Sequence, residues 1–176
     1  SGLCLATSVK TRCAVVKCGS MEKEFCVVAL VGKYQSVEIA EALAQTARFL
    51  LERGQEVWLE HDTAQAIGHD GSVRVADIQE IGEGADLVVV LGGDGTMLAT
   101  ARRLAGCYLP MVGVNQGRLG FLTDVPRDRM FECLGDITIC VSGGCCCKLM
   151  FGGMVQVSFR RQRLTMWFFR AASSDG

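Results

Sequence analysis

The sequence predicts an α/β fold in which βαβ units build an open parallel sheet. Apolar runs rich in β-branched residues recur through the middle of the chain, and segments with helical periodicity separate them. Two of the runs lead into glycine-rich stretches, Gly92–Gly95 and Gly113–Gly120. Strands that alternate with helices in this way pair in parallel, and ligands bind at their carboxyl ends.

The first unit begins with a buried strand. Phe25–Val31 is an apolar run, and a helix with one apolar face is predicted from its N-cap, Ser36, to Arg53. Gly54 directly after this helix is suited to its C-terminal cap. Glu56–Glu60 is predicted to be a short second strand.

The remaining elements continue the alternation. Between Ala64 and Ala85 the chain is polar and spaced by glycines, which predicts a loop with one short helix near Ala76–Ile81. The later strands and helices are predicted, in chain order, at Leu87–Leu91, Thr96–Ala105, Leu109–Val114 and Pro126–Leu134. The last helix opens with proline, which fits the first helical position.

Charge divides the chain into three unlike segments. Residues 1–20 carry three basic and no acidic residues, residues 21–137 carry ten basic and eighteen acidic, and residues 138–176 carry five basic against one acidic. Seven of the ten cysteines lie in the two flanks. We therefore expect one α/β domain at 21–137, between a non-native or disordered extension at 1–20 and an out-of-frame or disordered tail at 138–176.

Composition also restricts partners and location. No apolar run approaches the roughly 18 residues of a membrane span, and no secretory signal is evident at the start. We expect a cytoplasmic protein without membrane or nucleic-acid partners.

The cysteines and histidines do not predict a metal site. Cys140 and Cys145–Cys147 lack the spaced pairs of a zinc site. The two histidines, His61 and His69, are expected to be exposed in polar segments. The three cysteines of the middle segment are expected to act as small apolar packing residues: Cys26, Cys107 and Cys133.

The most informative motif follows the Leu87–Leu91 strand. In Leu-Gly-Gly-Asp-Gly-Thr-Met-Leu, residues 91–98, the glycines allow the backbone to approach a phosphate, and the next helix offers amides to an anion. Asp94 would repel phosphates unless it binds a metal or accepts a proton from an attacking hydroxyl. The motif therefore predicts phosphoryl transfer; a purely conformational strand-to-helix turn is the alternative. Arg102 and Arg103 on this helix could reach a donor phosphate, although at least one is expected to face solvent.

A second motif follows the Leu109–Val114 strand. Its three glycines between residues 113 and 120 imply tight backbone, and Asn115 offers both a donor and an acceptor. Phe121 and Leu122 add apolar surface. A structural loop with a buried Phe-Leu pair is the alternative interpretation.

Together the two motifs resemble the NAD kinases, which phosphorylate the 2′-hydroxyl of the adenosine ribose of NAD. The matching segments are Val31–Lys33, Leu91–Leu98 and Val112–Asp124. The Gly-Gly-Asp-Gly core is shared with phosphofructokinases and with diacylglycerol and sphingosine kinases, whereas the segment at 112–124 singles out NAD kinases. The resemblance covers about residues 21–137 and implies the NAD kinase/diacylglycerol kinase-like N-terminal domain.

The resemblance also implies roles for individual residues. Asp94 would be the general base toward the ribose hydroxyl, and Gly95 would contact NAD through its backbone. The other residues assigned to the phosphate and nucleotide side of the cleft are Gly92, Gly93, Thr96, Asn115, Phe121 and Leu122.

The substrates implied are NAD and a phosphoryl donor, either ATP or polyphosphate, with NADP as the product. Mg²⁺ or another divalent metal would bridge the donor phosphates, and no residue of the sequence specifies its ligands. A full-length member is expected to be a homo-oligomer. The alternatives are a lipid or sugar kinase that shares only the Gly-Gly-Asp-Gly turn, and a non-catalytic nucleotide-binding fragment.

The tail at 138–176 departs from the family, whose second, β-rich domain opens with an Asn-Asp or Asn-Glu pair. The tail contains neither that pair nor an alternating strand pattern. A shifted reading frame lets Leu164–Arg170 be decoded as Leu-Asn-Asp-Val-Val, so we interpret the tail as out of frame and the second domain as missing. Because half of the cleft would be absent, we expect little or no kinase activity from this chain alone.

Overall fold

The computed structural model describes residues 25–32, 37–67, 71, 73–107, 109–117, 120–123, 125–139, 145–151, 154–159 and 165–169. The helices are α1 (Val37–Glu52), α2 (His61–Ile67), α3 (Ile78–Gly84), α4 (Asp94–Arg103) and α5 (Met130–Ile139). The first six strands are β1 (Val27–Gly32), β2 (Glu56–Glu60), β3 (Arg74–Ala76), β4 (Leu87–Leu91), β5 (Pro110–Asn115) and β6 (Val125–Pro126). The last three are β7 (Cys145–Phe151), β8 (Met154–Phe159) and β9 (Thr165–Phe169).

The first six strands form the predicted open parallel sheet. Strands β3, β2, β1, β4 and β5 lie side by side in that order, and β6 pairs with β5. The register places Leu91 of β4 beside Val114 of β5, so the two glycine-rich motifs follow neighbouring strand ends. The α/β prediction is confirmed.

Helices cover both faces of the sheet, which explains why the strands are apolar on both sides. All five residues of β4 are buried. Buried residues of α1 and α5 pack on one face together with Val28 and Leu30, whereas those of α3 and α4 pack on the other with Ala29 and Val31. The site at the strand ends therefore rests on a rigid, doubly covered core.

Several local predictions hold, and others need correction. Gly54 has φ +80, as its place after α1 requires. The short helix predicted near Ala76–Ile81 is present as α3, at Ile78–Gly84, but the rest of the segment 64–85 is not only loop. Helix α2 begins before it, and within it β3 extends the parallel sheet at the edge of β2. Helix α3 follows Asp77, whose side chain accepts from the amides of Gln79 and Glu80 in a capping box that the sequence already contained.

The boundaries of two later helices also differ from the prediction. Helix α4 begins at Asp94 rather than at Thr96, with Gly93 as its N-cap. Pro126 is the residue before a 3₁₀ turn, Arg127–Arg129, which leads into α5. The predicted cap Ser36 lies outside the described residues, as do His69 and the extension at 1–20.

The tail contains three strands, although its sequence shows no alternating strand pattern. Strands β7, β8 and β9 pair antiparallel, and β9 pairs antiparallel with β5 through Pro110–Phe168 and Met111–Trp167. Runs such as Met154–Phe159 and Thr165–Phe169 combine β-branched or aromatic residues, which favour extended backbone. The interpretation of an out-of-frame tail remains a prediction.

Among the described residues, no helix is both long and apolar enough to cross a membrane.

Candidate functional site

The two glycine-rich motifs meet at the carboxyl ends of β4 and β5. The Gly92 amide continues the pairing of these strands by donating to the Val114 carbonyl at 3.0 Å. A Cβ on Gly92 would lie 2.7 Å from the Thr96 hydroxyl oxygen, so the turn closes onto the first turn of α4 only with glycine there. Thr96 thus packs against the turn.

The N-terminus of α4 is open to a ligand. Its N-cap, Gly93, provides no side-chain hydrogen bond, and the first amides of a helix lack acceptors within the helix. Gly93 and Gly95 are both exposed, and a Cβ on either would meet no heavy atom within 4 Å. Exposed amides at the positive end of a helix dipole favour a phosphate.

Asp94 joins this helix terminus to the second motif. Its Oδ2 accepts from the Phe121 amide at 2.8 Å. Its Oδ1 accepts from the amides of Leu122 and Thr123 at 3.0 and 3.1 Å and from the Thr123 hydroxyl at 3.0 Å. The carboxylate therefore fixes residues 121–123 against α4, across a separation of nearly thirty residues in sequence.

These contacts also set the charge of Asp94. Partial burial by itself raises the pKa of this carboxyl, but the three amides and the Thr123 hydroxyl together outweigh burial and hold the pKa below its usual value. Asp94 is consequently ionised at neutral pH. Its donors among the described residues are neutral groups, so none of them balances its negative charge.

A second layer of hydrogen bonds supports Thr123. The Asn115 side-chain amide donates to the Thr123 hydroxyl at 3.0 Å, and the Gly117 amide donates to Asn115 Oδ1 at 2.7 Å. A Cβ on Gly113 would lie 2.7 Å from Thr123 Cγ2, and a Cβ on Gly120 would overlap Asp94 Oδ1. The tight backbone predicted for this motif is therefore present at Gly113 and Gly120, whereas a Cβ on Gly117 would meet open space.

Phe121 and Leu122 point to different environments. Phe121 is 90% exposed, whereas Leu122 is buried in the core beneath α4. The alternative of a buried Phe-Leu pair is therefore wrong for Phe121. Asn115 is also buried, so of the three residues Asn115, Phe121 and Leu122 it is Phe121 whose side chain is open to a ligand.

A cavity of about 510 Å³ lies beside the second motif. Its lining residues come from the end of β5 and the start of α5: Asn115, Gln116, Gly117, Pro126, Arg127, Asp128 and Phe131. Asp94 is not among them, so the carboxylate faces a different surface of the loop.

Comparison with known proteins identifies the family. The model of the ATP-NAD kinase N-terminal domain matches residues 28–138. The chain belongs to the NAD kinase family. This assignment decides against a lipid or sugar kinase that shares only the Gly-Gly-Asp-Gly turn.

Curated NAD kinases are similar over the same part of the chain. The NAD kinase of Aromatoleum aromaticum is 60% identical over 117 residues, which are 66% of this chain and 39% of that protein. The NAD kinase of Azoarcus sp. is 52% identical over 117 residues, 66% of this chain and 40% of that protein. The chain thus spans about two fifths of the length of these relatives.

A solved structure has the same fold. Yeast NADH kinase, crystallised with NADH, superposes with a TM-score of 0.59 at 22% identity, covering 67% of this chain and 37% of that chain. The NAD kinase N-terminal fold is therefore present in this chain.

In this NAD kinase domain, Arg102 and Arg103 have separate environments. Arg102 is exposed. Arg103 instead donates to Glu60 Oε1 at 3.1 Å, and its guanidinium lies 3.8 Å from Asp62. Arg103 therefore forms an internal ion pair, which corrects the suggestion that it reaches a donor phosphate.

Glu60, the last residue of β2, was not singled out from the sequence. Its buried carboxylate also accepts from the amide and hydroxyl of Thr63 at 2.9 and 2.8 Å. The Thr63 hydroxyl in turn accepts from the Gly32 amide at 3.0 Å, which ties the ends of β1 and β2 together. A glutamate at the end of a strand whose three middle residues are apolar was the only sequence signal of this contact.

The remaining predicted residues divide by exposure. The His61 side chain is 57% exposed, as expected. Cys133 is buried, whereas Cys26 and Cys107 are exposed, which corrects the expectation that all three are packed. Burial of the Cys107 sulfur and the nearby Glu83 carboxylate raise the pKa of this thiol.

Cys140 lies outside the described residues, among which no group of three or more His, Cys, Asp or Glu could hold a metal ion.

Proposed function

We propose that this domain belongs to an enzyme that transfers a phosphoryl group to the 2′-hydroxyl of the adenosine ribose of NAD, giving NADP. The donor is ATP or polyphosphate. The observation that carries the proposal is the position of an ionised Asp94 at the open N-terminus of α4. A phosphate and an acceptor hydroxyl can therefore meet at one residue.

Asp94 takes the role of proton acceptor. A carboxylate with a lowered pKa is a weak base, so it cannot deprotonate an alcohol before the phosphoryl group begins to move. In the transfer, the ribose oxygen bonds to phosphorus while the bond to the leaving phosphate oxygen breaks. As the ribose oxygen loses electron density to phosphorus, the hydroxyl proton passes to Asp94. This late proton transfer suits a loose transition state.

The backbone around Asp94 provides the phosphate side. Gly92 and Gly93 bring the chain into α4, and the amides of its first turn, including that of Gly95, are placed to contact phosphate oxygens. We assign Gly95 the backbone contact to NAD. Thr96 supports the turn by packing on Gly92.

The exposed ring of Phe121 supplies apolar surface next to this polar centre. Its amide is bound to Asp94, so the ring lies close to the carboxylate. Flat aromatic surface beside a phosphate site suits a base or nicotinamide ring. Asn115 and Leu122 shape the loop from beneath and present the Phe121 ring to the nucleotide.

Phosphoryl transfer also calls for Mg²⁺ or another divalent metal to neutralise the donor phosphates. The described residues contain no group of three or more His, Cys, Asp or Glu that could hold a metal ion. These residues therefore do not define a metal site. This same proposal includes ATP binding, a role in NADP biosynthesis, a cytoplasmic location, small-molecule nucleotides as the partners and a homo-oligomeric full-length enzyme.

An amide titration by NMR tests the proposal on this chain. NAD added to the ¹⁵N-labelled protein is expected to shift the amides of residues 92–96 and of Phe121, and Phe121→Ala is expected to weaken binding. Val75→Ala is a matched control because Val75 is an exposed apolar residue on the distant β3 edge. Shifts confined to other parts of the sheet, or none at saturating NAD, would contradict the proposed function.

A further inference from the structure

The two oxygens of the Asp94 carboxylate carry unequal numbers of donors. Oδ1 accepts three hydrogen bonds, from the amides of Leu122 and Thr123 and from the Thr123 hydroxyl. Among the described residues, Oδ2 accepts only from the Phe121 amide, at 2.8 Å. Each carboxylate oxygen offers about two lone pairs. Oδ1 is therefore saturated, and Oδ2 retains an acceptor position.

The second layer fixes the direction of the Thr123 hydroxyl proton. The Gly117 amide donates to Asn115 Oδ1, which orients the Asn115 carboxamide so that its nitrogen faces Thr123. That nitrogen can only donate, so the Thr123 hydroxyl accepts from Asn115 and must donate to Asp94. Thr123 is completely buried, so water does not compete for this bond.

Resting on the proposed function, we propose that Thr123 is a positioning residue, which holds Asp94 through Oδ1 so that Oδ2 faces the acceptor hydroxyl of the substrate. Thr123 does not touch the substrate. As the ribose oxygen bonds to phosphorus and the bond to the leaving phosphate breaks, the proton moves to Oδ2. Asn115 acts one step further back, because it sets the direction of the Thr123 hydroxyl.

The first arm of the test needs no ligand. The pKa of Asp94 is measured from its ¹³C carboxyl resonance in the whole chain. Thr123→Val is expected to raise this pKa because a donor to the charged form is lost. Thr123→Ala is expected to raise it as well, although alanine does not put a methyl group in the place of the hydroxyl. Thr123→Ser restores the hydroxyl and keeps the pKa close to that of the unmodified chain.

Thr46→Val is the matched control for this arm. Thr46 is equally buried, but its hydroxyl donates to the Ala42 carbonyl at 2.7 Å, far from the site. This variant leaves the pKa of Asp94 unchanged. An unchanged pKa in both Thr123→Val and Thr123→Ala, or a serine variant that behaves like the valine variant, overturns the positioning role.

The second arm adds NAD and follows the amides of residues 121–123. Binding of a hydroxyl to Oδ2 shifts the Phe121 amide more than those of Leu122 and Thr123. Thr123→Val weakens NAD binding because Asp94 loses one of the bonds that hold it in position. The opposite pattern, with Phe121 unmoved, overturns the assignment of Oδ2. If NAD does not bind at all, the proposed function and the Oδ2 assignment fall together, while the first arm still decides the role of Thr123.

Discussion

Asp94 and Glu60 are both carboxylates at the carboxyl edge of the sheet, but their surroundings differ. Glu60 is 2% exposed, and its oxygens are bound by Arg103 and by the amide and hydroxyl of Thr63. Asp94 is partly exposed at a helix terminus, and its donors are three amides and a hydroxyl.

The difference supports the proposal that Glu60 is a structural carboxylate and Asp94 a reactive one. Glu60 is buried and bound by Arg103 and Thr63. The described donors to Asp94 are neutral groups, and its second oxygen accepts a single bond from them. Position in the fold alone does not distinguish these roles, whereas the donors around each carboxylate do.

The largest change in stability is expected when the structural carboxylate is removed. Glu60→Ala leaves the Thr63 amide and hydroxyl without their acceptor and breaks the ion pair with Arg103. Because the Arg103 side chain is 45% exposed, its share is small, and a loss of about 2–3 kcal/mol in the free energy of unfolding is expected. Urea denaturation measures this.

Glu132→Ala is the control for that substitution. Glu132 and Arg129 form an ion pair with both side chains more than half exposed, so its loss should leave the unfolding midpoint unchanged. If the Glu60→Ala protein is as stable as the Glu132→Ala control, the distinction between Glu60 and Asp94 is wrong.

A smaller loss is expected from crowding the reactive carboxylate. Gly120→Ala places a methyl group on Asp94 Oδ1 and 2.8 Å from the Thr123 hydroxyl, so the loop must shift. We expect about 1–2 kcal/mol of destabilisation, a typical cost of overpacking, and a weaker response of the Phe121 amide to NAD.

Gly117→Ala, in the same loop, tests whether crowding is the cause. A Cβ there would meet no heavy atom within 4 Å, so both stability and the amide response should be preserved. If Gly120→Ala and Gly117→Ala have equal effects, crowding of Asp94 is not the cause of the loss.

The smallest effect is a dependence of stability on acid pH. The folded-state pKa of Asp94 lies below that of the unfolded chain, so its contribution is complete above the unfolded value and lost as pH falls through the folded one. The stability difference between the unmodified chain and Asp94→Asn should therefore be constant from pH 7 to about pH 5 and shrink below that.

A gap between the unmodified chain and Asp94→Asn that grows as the pH falls would mean that folding raises the pKa of Asp94 instead of lowering it.

The sequence predicted the parallel sheet and the position of both motifs at the carboxyl ends of its strands, because both depend on local patterns. Leu87–Leu91 is apolar throughout, and glycines follow it at once. The topology of a parallel sheet then brings neighbouring strand ends together. The sequence could not show that Asp94 is bound by residues 121–123, because nothing local couples the two segments.

Other details also depended on tertiary contacts. The partner of Arg103 lies 43 residues away, and only the folded chain shows that it is Glu60 rather than a ligand. Burial of Leu122 and exposure of Phe121 are set by how the loop crosses α4. Strand β3 consists of three residues and exists because β2 offers it an edge.

A transfer assay that compares the two carboxylates tests most directly whether Asp94 accepts the proton. Residues 25–137 of this chain are joined to the remaining part of the Aromatoleum aromaticum NAD kinase, and NADP formation from ATP and NAD is measured. If Asp94 is the proton acceptor, Asp94→Asn lowers kcat by about 10²–10⁴-fold, while Glu60→Gln, assayed where it is folded, retains nearly full kcat. Near-normal turnover by Asp94→Asn, or an equal loss in both variants, would contradict this role.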